Sequence, residues 1–319
     1  MLQQSPLIEQ TSPAPRNPQP AFLTDDSAEI LRFAAEALNA GMAAALVTLV
    51  EIRGGSSRPL GAHMAVREDG LYCGFVSGGC VEAAAAFEAM EVIQSGEDRM
   101  VKYGEGSPYF DIVLPCGGGI TLSMHKLRAV QPLLAVLNAM AQRQPAGLRY
   151  NPQSQTLESV LSQRETGWRG ADFAVSYRPC TRVIVYGRSV EAAVAANVAR
   201  AAGYDVHTSD GFDPRTTFAL MDADTAVILL YHDLNRELPV LQAALAARPF
   251  YIGALGSRRT HDVRMQRLAG LGWSEQEIAR IKAPIGIFPK ARDAHSLALS
   301  VLADVAAARL THASNEDAG

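Results

Sequence analysis

The amino-acid sequence predicts a mixed α/β protein: an N-terminal α+β domain followed by a Rossmann-like, doubly wound parallel-sheet domain. Three observations predict it. From Arg182 onward, short apolar runs alternate with helical stretches: RVIVYG, VEAAVAANVARAA, DVHTSD, TAVILLYH and FYIGALG. That alternation is the mark of a parallel sheet with crossover helices. Before residue 130 the punctuation differs, and Asp69-Gly70 reads as a hairpin turn between two strand-like runs. The length of 319 residues fits about two domains, and 48% hydrophobic residues suffice for a core in each.

In chain order, residues 1–20 are rich in proline and lack an apolar signal core, so they read as a disordered arm and not as a signal peptide. Thr24-Asp25-Asp26 can cap a helix running to about Ala40, with Gly41 beyond its end. AALVTLVEI is a buried strand. RGGSSRPLG is a glycine-rich loop. HMAVRE and LYCGFV pair through the hairpin. A helix runs from SGGCVE to about Gln94, and DIVLP and ITLSMHKL are strands joined by CGGG. These place the first domain at 21–130. A helix near 131–142 and weak strand signals make 131–178 a connecting region. The Rossmann-like domain takes 179–311, and 312–319 are a tail.

The formal net charge is −4, with 29 basic and 33 acidic residues and no long basic run, so no nucleic-acid partner is expected. No apolar stretch approaches the roughly 20 residues of a membrane helix. The four cysteines, Cys73, Cys80, Cys116 and Cys180, form neither a dense disulfide pattern nor a C-x-x-C zinc pattern. A reducing cytoplasm is the expected setting. Cys73 and Cys180 sit in strand-like contexts and read as structural.

Five short stretches could carry chemistry. Arg53 to Gly61 offers unpaired N–H groups, the hydroxyls of Ser56 and Ser57 and the guanidiniums of Arg53 and Arg58, a chemistry for an anionic ligand; the alternative is an ordinary surface loop. Ser77-Gly78-Gly79-Cys80-Val81-Glu82 places a cysteine at a helix start, where the positive dipole end favours the thiolate; the alternative is a small buried cysteine in a tight turn. Cys116-Gly117-Gly118-Gly119 mirrors that motif. His63 and His125 lie on strands, but no ligand spacing joins them to Cys80 and Cys116 as a zinc site.

In the second half, Ser257-Arg258-Arg259 opens a helix after a strand, either as an anion site or as a solvated basic face. Gly187-Arg188-Ser189 has Ser where a dinucleotide fingerprint needs its second glycine, and Glu191 adds negative charge at that helix start. NAD(P) is therefore not an expected cofactor, although Asp210 stands where a ribose ligand would.

Together, GSSRPLGAHMAVREDG, FVSGGCVE, PCGGGI, GYDVHTSD, YIGALGSRR and APIGI resemble the xanthine dehydrogenase accessory (XdhC/CoxI) family, over about residues 24–310. The resemblance implies a chaperone for the molybdenum cofactor, as molybdopterin or its cytosine dinucleotide form, and not a metabolic enzyme. It implies a molybdenum hydroxylase client, a cysteine desulfurase supplying the terminal sulfur, and contact with cofactor-biosynthesis enzymes. It carries cofactor binding to Gly55, Ser56, Arg58, Gly61, Ser77, Gly78, Gly79, Cys80, Glu82, Cys116, Gly117, Gly118, Ser257 and Arg258, with Cys80 as the metal ligand. A homodimer would be in keeping. Two rivals stand beside it: an NAD(P)-dependent oxidoreductase using the second domain, and a scaffold that docks only proteins.

Overall fold

The computed structural model describes residues 17–105, 107, 117–163, 165–209, 214–288 and 290–316. The chain divides into two compact units: the chain up to Ala139 with Ala146–Tyr177, and Met140–Pro145 with the chain from Arg178.

In the first unit, β1 (Gln19–Pro20), α1 (Ser27–Asn39), β2 (Ala44–Arg53), β3 (His63–Arg67), β4 (Leu71–Gly74), α2 (Glu82–Ser95), β5 (Arg99–Gly104) and β6 (Gly119–Lys126) follow in order. The six strands form one sheet in the order β1-β4-β3-β2-β6-β5. Asp26, the N-cap of α1, accepts from Ala28 N at 2.7 Å and Glu29 N at 3.0 Å, the capping a carboxylate supplies to orphan N–H groups. Gly70, with φ +86°, makes the β3–β4 hairpin. β2 is buried along its first seven residues. Ala45, Val47 and Leu49 pack with the Ala85, Ala86, Ala89 and Val92 face of α2, and the alternate residues point to the other face of the sheet. The arm expected over 1–20 differs at its end: Gln19 and Pro20 pair in parallel with Leu71 and Tyr72.

The stretch expected as a connection holds α3 (Gln131–Ala141) and four strands, β7 (Ala146–Asn151), β8 (Thr156–Leu161), β9 (Gly167–Arg169) and β10 (Asp172–Tyr177). They form a separate antiparallel sheet in the order β8-β7-β10-β9. Polar contacts tie it into the first unit. Tyr177 Oη bonds His63 Nε2, Tyr150 Oη donates to Asp98 at 2.8 Å, and Trp168 Nε1 donates to the Val50 carbonyl at 3.0 Å. Val50 is free to accept because the β2–β6 register shifts between Leu49 and Glu51, as a bulge does.

The second unit is the doubly wound domain. Its elements are β11 (Arg182–Tyr186), α4 (Val190–Ala201), β12 (Asp205–Ser209), a 3₁₀ turn (Pro214–Leu220), β13 (Thr225–Leu229), α5 (Leu234–Ala247), β14 (Tyr251–Ala254), α6 (Arg258–Gly270), α7 (Glu275–Ile278), β15 (Ile281–Lys282) and α8 (Ala294–Glu316). The sheet is parallel throughout, in the order β12-β11-β13-β14-β15. Val183 and Val185 pack with α4 and α8, whereas Ile184 and Tyr186 pack with α5 and α6. Helices therefore cover both faces, the reason β11 reads as an unbroken apolar run. Among the described residues no helix is long and apolar enough to cross a membrane.

Candidate functional site

Three glycine-bearing loops of the first unit meet. A Cβ placed on Gly118 would lie 2.5 Å from the Arg53 carbonyl oxygen and 2.6 Å from that of Gly55, and one on Gly54 would lie 3.4 Å from Gly118 Cα. The β2–β6 pairing brings these backbones together, since Arg53 faces Gly119 in the ladder. A Cβ on Gly78 would lie 3.4 Å from Ser57 Oγ, so the SGGC turn abuts the same loop. Gly79 (φ +103°) and Gly117 (φ +69°) hold left-handed conformations with open space beyond them. These two are exposed, and so is Cys80. Cys116 lies outside the described residues.

Several expected ligands have structural duties instead. Arg53 does not offer a free guanidinium: it bonds Glu51 at 2.6 Å, Thr121 Oγ1 at 2.9 Å and the Glu105 carbonyl at 3.1 Å. Ser56 Oγ spans its own turn, donating to the Arg58 carbonyl at 2.9 Å and accepting from Arg58 N, as serine does in local turns. Arg58 pairs with Asp25 at 2.8 Å and lies over the Phe75 ring. Gly61 is needed for packing: a Cβ there would come 2.7 Å from Thr166 Cγ2.

Glu82 is the least expected member. It is buried, 3% exposed, and turns back into the SGGC turn. Its carboxylate accepts from Ser77 N at 2.8 Å, Val76 N at 3.1 Å and Val81 N at 3.2 Å, and from Ser77 Oγ at 2.9 and 3.0 Å. A buried carboxylate needs such donors. Glu82 shapes the turn and does not face a ligand. Ser77 Oγ also stands 3.4 Å from Cys80 Sγ. Because the one hydroxyl proton of Ser77 goes to Glu82, its oxygen is left to accept from the thiol. The arrangement can pass a proton from Cys80 toward Glu82 through Ser77 when the sulfur takes up an electrophile or a metal. Cys80 itself precedes Val81, the N-cap of α2. It is therefore outside the first helical turn in which the sequence places it.

Three other titratable groups of this unit, His63, His125 and Asp98, are held by partners. His63 is buried between Thr48 Oγ1, 3.1 Å from Nδ1, and Tyr177. Desolvation lowers its pKa to about 4, so the ring is neutral near pH 7. His125 Nδ1 lies 2.6 Å from Asp98. Burial pushes the Asp98 carboxyl up, but the His125, Lys126 and Tyr150 bonds outweigh it and leave it below the usual range. Burial raises the Cys73 thiol to about 12, in line with a structural role. Cys180 is exposed, unlike its strand-like reading, because it lies in the loop before β11. Among the described residues no three His, Cys, Asp or Glu side chains stand ready to share a metal ion.

In the second unit Ser257 caps α6, accepting from Thr260 N at 3.2 Å, and Arg258 is its exposed first residue. The sequence reading missed what holds this loop. Arg264, 0% exposed, donates to Glu237 at 2.5 Å and to the Leu255 carbonyl at 2.8 Å. The signal was an arginine two turns into α6, on its buried side. At the other strand end, Gly187, Arg188 and Ser189 line a cavity of about 320 Å³ with Asn197 and Arg200. Asp210 lies outside the described residues.

Comparison with known proteins decides the family. Residues 37–104 match the XdhC and CoxI family, and residues 183–305 match the XdhC Rossmann domain. A protein named molybdenum cofactor insertion chaperone PaoD, from Escherichia coli (strain K12), is 67% identical over 293 residues, 92% of each chain. The chain belongs to the XdhC and CoxI family. A second relative, the uncharacterized protein YqeB of the same organism, is 26% identical over 274 residues, 82% of this chain and 42% of YqeB. A crystal structure described as a xanthine dehydrogenase from Bacillus halodurans superposes with a TM-score of 0.68 at 19% identity, over 88% of this chain and 96% of that one. The XdhC and CoxI match spans both the first glycine loop and the SGGC turn, and the Rossmann-domain match includes the α6 loop.

Proposed function

We propose that this XdhC and CoxI family member is a molybdenum cofactor chaperone, which binds the cofactor as cargo on the glycine loops of its first unit and delivers it to a molybdenum hydroxylase of the xanthine dehydrogenase or aldehyde oxidoreductase type. The observation that carries the reading is the meeting of loops 53–61, 77–80 and 117–119 beside an exposed thiol. Left-handed, uncrowded glycines at 79 and 117 leave backbone open to close approach by an anionic ligand. Cys80 supplies one soft ligand to a metal that its cargo already holds. The high identity to an insertion chaperone supports the same direction.

The finer reading follows from the family resemblance. The protein works in the cytoplasm, accepts the plain or cytosine-dinucleotide form, and holds it while a cysteine desulfurase supplies the terminal sulfur. Gly55, Gly78, Gly79, Cys80, Gly117 and Gly118 form the cradle. Ser77 and Glu82 shape it.

The test is anaerobic co-expression with the cofactor pathway, followed by oxidation of the bound ligand and measurement of the fluorescent pterin product. Wild-type protein is expected to carry pterin, and Cys80→Ala to carry several-fold less. A wild-type protein without pterin, under conditions that load a known carrier, overturns the proposal. Equal pterin in both forms removes Cys80 as a ligand.

A further inference from the structure

Behind the first glycine loop lies a second feature that the cradle does not use. A half-open cavity of about 320 Å³ is lined by Asp25 and Ser27 at the start of α1, with the Asp25 side chain at its exposed mouth, by Arg58 and Gly61 of the loop, Phe75 after β4, and Ser176 on β10. That volume is at the small end of ligand cavities. It suits one fused ring system and is too small for a dinucleotide. The cavity neighbours the cradle along the chain: Ser57 lies beside Gly78 of the SGGC turn, and Arg58, the next residue, lines the cavity.

Its polar groups are arranged for a neutral, hydrogen-bonding ligand. Arg58 is fixed between Asp25 Oδ2 and the Phe75 ring. This leaves Asp25 Oδ1 and the Ser27 hydroxyl without a bond among the described residues. Arg58 and Asp25 cancel in charge, and His63 behind them is bonded on both ring nitrogens. Asp25 Oδ1 can accept one N–H, and an adjacent N–H can share Oδ2 with Arg58 through its second lone pair.

We propose that this cavity seats a flat fused heterocycle bearing an amino group beside a ring N–H, with Asp25 accepting that donor edge. The proposal rests on the function proposed above, in which the cargo is a pterin. Guanine presents the same edge, so the chemistry has two sources.

The test is fluorescence titration of the full-length protein with free pterin, and in a second arm with GMP. Pterin is expected to bind more tightly than GMP. Asp25→Asn, which turns one acceptor oxygen into an NH2 donor and removes the charge, and Ser27→Phe, which fills the cavity, are each expected to weaken pterin at least tenfold. Pterin binding that both variants leave intact overturns the proposal. So does a wild-type protein that loads intact cofactor yet does not take free pterin, and tighter GMP binding overturns the pterin assignment. The two readings fail separately: Asp25-dependent pterin binding by a protein that never loads the metal cofactor sinks the chaperone role and leaves the cavity assignment standing.

Discussion

The two glycine-rich loop systems of this protein are built in opposite ways. In the first unit the arginines are spent inside the structure, with Arg53 bonded into the β2–β6 ladder and Arg58 paired with Asp25, while the thiol of Cys80 faces outward. In the second unit a buried pair, Arg264 and Glu237, holds the loop from behind, and Arg258 and Arg259 face outward. The first arrangement presents backbone and sulfur, and the second presents positive charge. On the proposed function, the former is where the cargo would bind.

That contrast can be broken by mutation, and the two tryptophans, Trp168 in the first unit and Trp273 in the second, report on each side. The largest effect is expected from Arg264→Met. It strands a buried carboxylate, a loss of about 3–5 kcal/mol, read as an earlier urea transition of Trp273 fluorescence. The double variant with Glu237→Leu is expected to recover most of it. Burial already raises the Glu237 carboxyl despite the Arg264 bond.

Next is acid sensitivity of the first unit. Burial gives His63 a folded pKa of about 4, below the 6.5 of a free imidazole side chain. The unfolded chain therefore takes up a proton first as pH falls. The stability this neutral imidazole contributes is complete above pH 6.5 and is lost between 6.5 and 4, on the order of 3 kcal/mol. In His63→Gln the slope of unfolding free energy against pH over that window is expected to fall by up to one proton. An unchanged slope refutes the assignment.

Gly118→Ala then tests the meeting of loops. Its Cβ would strike backbone, at a cost of about 1–3 kcal/mol. Gly117→Ala, strained in φ but facing open space, is expected to cost only about 1 kcal/mol. Equal losses in paired urea melts would mean that the loops do not press together. Smallest of all is Cys80→Ser, an exposed site expected to change stability by less than about 0.5 kcal/mol while cofactor loading drops.

Much of this was legible in the sequence, and the gaps have physical reasons. Asp69-Gly70, Ser257 and the alternation from Arg182 read directly because turns, caps and parallel crossovers are local signals. The contact of Gly54 with Gly118 was not legible, since strand pairing across more than 60 positions creates it. The sheet of residues 146–177 was faint because β8 is largely exposed and its hydrophobic pattern is broken. Glu82 read as a helix-start acid near a ligand. Only the path of the turn shows its carboxylate closing on Val76, Ser77 and Val81.

The Glu82 clamp also bears on how cargo comes and goes. A turn already held by four donors, three backbone N–H groups and the Ser77 hydroxyl, on one carboxylate has its shape before anything arrives. On the proposed function, loading there would carry little ordering entropy. On the same reading, release would fall to a client whose own site holds the cargo more tightly.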